Sequence, residues 1–260
     1  MALRQASIDP ASFTSVRLVA GAATLWVLVR LGNRRLSVGG SWSSSIALLA
    51  YASAFSFAYV AVTAGTGALL LFGAVQLIMI SVGMAGGERI DLRIALGWTL
   101  AVAGLVILVF PGVSAAPPME ATLMLCAGVA WGIYSLRGRR SRDPLRDTAG
   151  NFARAAPGAL LISALMWRHR SLDRTGVALA VLSGSIASGV GYALWYTALP
   201  RLRAIAAANL QLSVPLITSL GGVVLFGEPI TLRLASSSIL LLGGIALATR
   251  HSIIASRTNS

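Results

Sequence analysis

The chain has 260 residues, of which 56% are hydrophobic and 11% charged, and its mean hydropathy is +0.79. That leaves too little polar surface to clothe a water-soluble globule, so the composition points to an integral membrane protein. The net charge of +13 comes from 21 basic residues, all of them arginine and most of them in short segments between apolar runs, which is the pattern of membrane topology rather than of nucleic-acid binding.

A hydrocarbon core takes roughly 20 helical residues to cross. Stretches that meet or approach this length predict nine transmembrane helices, at 13–29, 43–62, 66–85, 94–110, 120–136, 152–167, 177–198, 204–225 and 233–249. The runs are apolar on every side, as in FGAVQLIMISVGMAG, whereas barrel strands alternate apolar with polar residues. Turn signals such as Gly32-Asn33, Pro111-Gly112, Pro117-Pro118 and Asp143-Pro144 mark short connections, and only 137–150 reads as a real polar loop. The single cysteine, Cys126, lies inside an apolar run, and His169 and His251 stand in basic sequence outside any ligand spacing. No disulfide framework, metal site or cofactor is expected.

Arginines sort the two sides of the membrane. Fourteen fall on one side: Arg30, Arg34, Arg35, Arg89, Arg93, Arg137, Arg139, Arg140, Arg142, Arg146, Arg201, Arg203, Arg250 and Arg257. Five fall on the other: Arg4, Arg168, Arg170, Arg174 and Arg233. A multi-pass protein of the cytoplasmic membrane with a cytoplasmic C-terminus is expected.

The segment GERIDLRIALGWTLAVAGLVIL, starting at Gly87, is echoed 140 residues later by GEPITLRLASSSILLLGGIAL, starting at Gly227. Five predicted spans separate the echoes. Because five is odd, the second copy must enter the membrane from the opposite side, which makes an inverted repeat of the kind secondary transporters use. A weaker pair, RLVAG from Arg17 and RAAPG from Arg154, supports the same register.

Two halves with an Arg early in one helix, a Gly-Glu at the exit of another and a Gly-rich last helix resemble the EamA family of the drug/metabolite transporter superfamily. The segment NLQLSVP, from Asn209 to Pro215, followed by LFGEP, from Leu225 to Pro229, is similar to that family's ninth helix. The resemblance implies an all-α membrane protein, an inverted repeat of a ten-helix fold with the first helix missing here. It divides the chain into a first repeat at 1–113, with four helices, and a second at 114–260, with five.

Several residues qualify for a site. Gln76, an amide near mid-membrane, and Trp131, Tyr134, Tyr192, Trp195, Tyr196, Asn209 and Gln211 are polar or aromatic groups within spans, suited to a substrate cavity or, for the aromatics, an interfacial belt. Tyr192, Trp195 and Tyr196 share one helix face, as do Trp131 and Tyr134. Arg17 and Arg154 either attract anionic groups at the two mouths or snorkel to headgroups. Glu88 and Glu228 either gate the pathway or mark helix ends, where Gly stops one helix and the acid suits the start of the next. Pro215 bends a span and suits a gating helix. Small-residue pairs, Gly97 with Ala101, Gly184 with Ser188 and Ala187 with Gly191, predict close helix packing, and Gly243-Gly244 makes the last helix a packing element or a homodimer contact.

No carboxylate lies mid-span, so proton coupling has no visible carrier. The expected function is secondary transport, with export favoured, of an amino acid or similar small metabolite by alternating access, and its partners are that solute and the lipid bilayer. The alternatives are efflux of drugs or lipophilic cations, or a truncated membrane protein that transports nothing. An intramembrane enzyme lacks the clustered His, Asp or Glu it would need.

Overall fold

The computed structural model describes residues 8–32, 39–86, 92–109, 116–202, 207, 211, 213–227 and 229–255. Among them are nine helices and no strand. They are α1 (Pro10–Leu31), α2 (Trp42–Ala58), α3 (Ala64–Ala85), α4 (Leu92–Val109), α5 (Pro118–Gly138), α6 (Pro144–Leu165), α7 (Arg174–Arg201), α8 (Ser213–Phe226) and α9 (Leu232–Ala255). Four of them, α1, α3, α5 and α7, are long and apolar enough to cross a membrane outright, while α2 and the apolar parts of α4 and α9 are shorter. Their outward residues are large and apolar: Leu31, Trp42, Leu165, Val224 and Leu232 are all exposed. Such a surface would aggregate in water and suits lipid.

Polar side chains start the helices. Asp9 caps α1 by accepting the Ser12 N–H at 2.9 Å, Ser41 caps α2 at Ser44, and Asp173 caps α7 at Gly176. Each satisfies a backbone donor that the first turn leaves without an intrahelical partner. At the other end of a helix, Gly227 follows α8 with φ +63° and donates its N–H to the Val223 carbonyl, so glycine terminates this helix by turning left-handed.

One predicted loop is largely helix. The stretch 137–150 was expected to be a polar connection with the sixth span beginning at 152, but α5 runs to Gly138 and α6 begins at Pro144. Asp143-Pro144, which reads as a turn, is an N-cap followed by proline at the first helical position. Hydropathy misses these first turns because their polar residues are matched by hydrogen bonds: Asp147 accepts from Gly40 N–H at 2.7 Å and Asn151 from Ser41 N–H at 2.9 Å.

The predicted seventh span is one helix with an irregular middle. Ser183–Val190, SGSIASGV, is wound as a π-helix. Gly184 and Gly189, five residues apart, both press on α1: a Cβ on Gly184 would lie 2.8 Å from Ala20 Cβ, and one on Gly189 2.7 Å from Thr24 Cβ. Spacing by α-helical turns favours Gly184 with Ser188 and Ala187 with Gly191. The first pair does face α1, but Ala187 is exposed, because the wider winding carries Gly189 to that face instead.

The Cα positions group into two compact units, Met1–Val60 with Ile133–Arg201, and Ala61–Gly132 with Leu202–Ser260. In the first, α1 packs on α6 with Ser12 beside Ser163, Ser15 donating to the Ala159 carbonyl at 2.8 Å and Gly21 against Phe152, so the two helices run antiparallel. In the second, α4 packs on α9: a Cβ on Gly244 would stand 2.5 Å from Gly97 O and one on Gly104 2.8 Å from Leu241 N, again an antiparallel pair. The small residues of α4 and α9 thus pack against each other within the chain.

Candidate functional site

Within the first unit, the side chain of Arg17 points inward from α1 and is only 6% exposed. Its Nε donates to Ser188 Oγ at 2.9 Å and its Nη2 to Tyr51 Oη at 3.4 Å, while the guanidinium carbon stands 5.1 Å from the Phe55 ring centre and 5.7 Å from that of Tyr51. The enclosed guanidinium does not fit the snorkelling reading made from the sequence, because protein groups rather than lipid headgroups surround it. The small residues of the π-segment bring α7 close enough for Ser188 to meet the guanidinium.

Beside it lies an aromatic cluster. Tyr134 and Tyr196 meet edge-on with centroids 5.0 Å apart, Tyr192 and Tyr196 are 5.9 Å apart, and Phe152 meets Tyr192 at 5.3 Å. Asn151 Nδ2 donates to Tyr134 Oη at 3.4 Å. Tyr134, Tyr192 and Tyr196 are buried, and Trp195 is half-buried, its indole N–H enclosed and without a hydrogen-bond acceptor among the described residues.

The second unit holds a separate polar pair. Trp131 Nε1 donates to Gln211 Oε1 at 2.7 Å, and the Gln211 amide nitrogen lies 3.6 Å from Met79 Sδ and 3.5 Å from the Ala207 carbonyl. Gln76, one turn before Met79 on α3, is buried at 1% exposure. The structure therefore joins Trp131 with Gln211 and Tyr134 with Tyr192 and Tyr196, and the Trp131–Tyr134 face expected on α5 is divided between the two units.

Of the gate residues, Arg154 is half-buried on α6, donating to the Gly39 carbonyl and standing 5.8 Å from the Trp42 ring centre. Pro215 lies near the start of α8 as described. Asn209, Glu88 and Glu228 lie outside the described residues. Sequence reasoning missed Tyr51, Ser188, Asn151 and Met79 as site neighbours. The signal for Tyr51 was a hydroxyl within an apolar run; for Ser188 it was the run of small residues in SGSIASGV, read only as packing.

Residues 118–250 match the model of the EamA-like transporter family. The chain belongs to that family. This EamA-like transporter is 49% identical over 247 residues to an uncharacterized protein of Pseudomonas aeruginosa, covering 95% of the chain and 86% of that protein. It is 25% identical to an uncharacterized transporter of Archaeoglobus fulgidus over 94% of the chain and 90% of the relative. The threonine/homoserine exporter RhtA of Escherichia coli is 31% identical over 145 residues, which is 53% of the chain and 46% of the exporter. A crystal structure superposes with a TM-score of 0.67 at 20% identity, covering 94% of the chain and 90% of the solved one, and so shares its fold. The EamA-like chain is accordingly an integral membrane transporter with an all-α fold, as its composition requires.

Proposed function

We propose that the protein exports an amino acid or a similar small zwitterionic metabolite across the cytoplasmic membrane by alternating access. The observation that carries the mechanism is the antiparallel packing of α1 on α6 and of α4 on α9. Each pair joins helices five apart in the chain, which are the equivalent members of the repeats at 1–113 and 114–260. Inversion of one copy relative to the other provides two alternative half-gates around a single site. Substrate binding that differs between inward-facing and outward-facing states then drives the cycle, with no covalent chemistry.

The similarity to a threonine/homoserine exporter supports the substrate class and the direction. The arginine distribution supports a cytoplasmic C-terminus. Gln76, Trp131, Tyr134, Tyr192, Trp195, Tyr196, Asn209 and Gln211 are the proposed substrate contacts, with Arg154, Glu88, Glu228 and Pro215 as the proposed gate. The buried positive charge of Arg17 disfavours a lipophilic cation as cargo. Flux of radiolabelled L-threonine and L-homoserine through the purified protein in proteoliposomes tests the proposal. Saturable flux of at least one of them is expected, and flux no faster than in empty vesicles for either, or for other amino acids, would sink it.

A further inference from the structure

Arg17 is the eighth residue of α1, about 10 Å along the helix from its start. A guanidinium removed from water at that depth is retained only with compensation, ordinarily a carboxylate. The unit that holds Arg17 contains four acids, and each serves a helix start. Asp9 accepts from Ser12 and Ser171 N–H, Asp143 from Arg146 N–H, Asp147 from Gly40 N–H and Ser141 Oγ, and Asp173 from Gly176 N–H. Among the described residues, the groups that meet Arg17 are neutral: the Ser188, Tyr51 and Tyr192 hydroxyls and the Phe55 ring. Three hydroxyl acceptors at most, from Ser188, Tyr51 and Tyr192, leave part of a guanidinium's five-donor fork without an acceptor among the described residues.

The geometry points to Arg17 as a subsite for a carboxylate group of the transported solute. The planar fork suits a carboxylate in two-point contact, and a low-dielectric surround strengthens that contact. Ser188 and Tyr51 are positioning residues. They hold the Nε and Nη2 edge, and the π-segment sets Ser188 at the necessary distance from α1. The assignment rests on the proposed transport of a zwitterionic metabolite, but it concerns only the acidic end of that solute.

A binding measurement that does not depend on flux separates the two. Purified wild type and Arg17→Gln are placed in phosphatidylcholine nanodiscs, and their thermal unfolding is followed with N-acetyl-L-threonine and L-threonine as carboxylate probes and L-threoninamide as the uncharged counterpart. The carboxylates should stabilise the wild type, the amide should do so far less, and Arg17→Gln should weaken carboxylate binding by about 30-fold or more. Equal stabilisation by acid and amide, no stabilisation by either, or a carboxylate preference that survives in Arg17→Gln overturns the subsite. So does loss of the carboxylate effect when phosphatidylglycerol is added, which would identify a lipid phosphate as the anion held there. If Arg17→Gln fails to fold, Ser188→Ala and Tyr51→Phe keep the charge and should lower carboxylate binding several-fold while leaving the amide unchanged; an equal loss for both probes counts against the assignment. Carboxylate binding without any amino-acid flux would leave the subsite standing and defeat the transport proposal alone.

Discussion

Gly184 of α7 lies against the backbone of Arg17 on α1, close enough that a Cβ would strike the Arg17 carbonyl oxygen and stand 3.0 Å from its Cα. Neither backbone can retreat without moving a whole helix. The glycine is therefore what allows Ser188, one π-turn along, to reach the guanidinium.

Replacing Gly184 with alanine should destabilise the protein by about 1–3 kcal/mol, the usual cost of forcing an extra carbon into a packed interface. Gly221→Ala is the control. It also lies in a helix, α8, but a Cβ there meets nothing within 4 Å, so the change should be neutral or stabilising by about 0.5–1 kcal/mol. Unfolding in detergent compares the two, and similar losses for both would contradict the packing described.

Trp131→Phe removes the donor to Gln211 Oε1 and leaves a buried acceptor without its partner. The expected loss is about 1–3 kcal/mol, whereas Trp131→Phe combined with Gln211→Leu should recover much of it, because removing both partners leaves no unmatched group. A double-mutant cycle with additive effects would show that the two residues are not coupled.

Gly227→Ala places a side chain in left-handed backbone and should lower stability by roughly 1–2 kcal/mol. A Cβ there has open space, so the cost comes from the dihedral and not from packing. Gly227→Asn, which tolerates this conformation better, should lose less; the same loss in both would point to another cause.

The turns at either end of α6 should face opposite sides of the membrane. In a Cys126→Ser background, single cysteines replacing the exposed Arg140 and Arg170 should react with an impermeant maleimide from the cytoplasmic and the external side respectively. Labelling of both from one side would refute the topology and, with it, the inverted repeat.

Much of the fold is legible in the sequence because lipid imposes a simple requirement: each crossing needs an apolar helix of sufficient length. Hence α1, α3 and α5 fall within a few residues of the expected spans. The errors come where polar residues are matched by partners distant in the chain. Asp147 and Asn151 make α6 longer than hydropathy allows, because Gly40 and Ser41 satisfy them from over 100 residues away. The site was legible only as a set of residue types. Trp131 and Gln211, 80 residues apart, become partners only when α5 meets the segment before α8.

The sequence by itself determined the membrane setting, the helical class and the family resemblance, since all three depend on composition and on order along the chain. Tertiary structure alone decided that Arg17 is enclosed rather than at a lipid surface. A guanidinium's environment is set by whichever helices pack around it, here α2 and a π-wound α7, and its hydrogen bonds to Tyr51 and Ser188 reach residues 34 and 171 positions away.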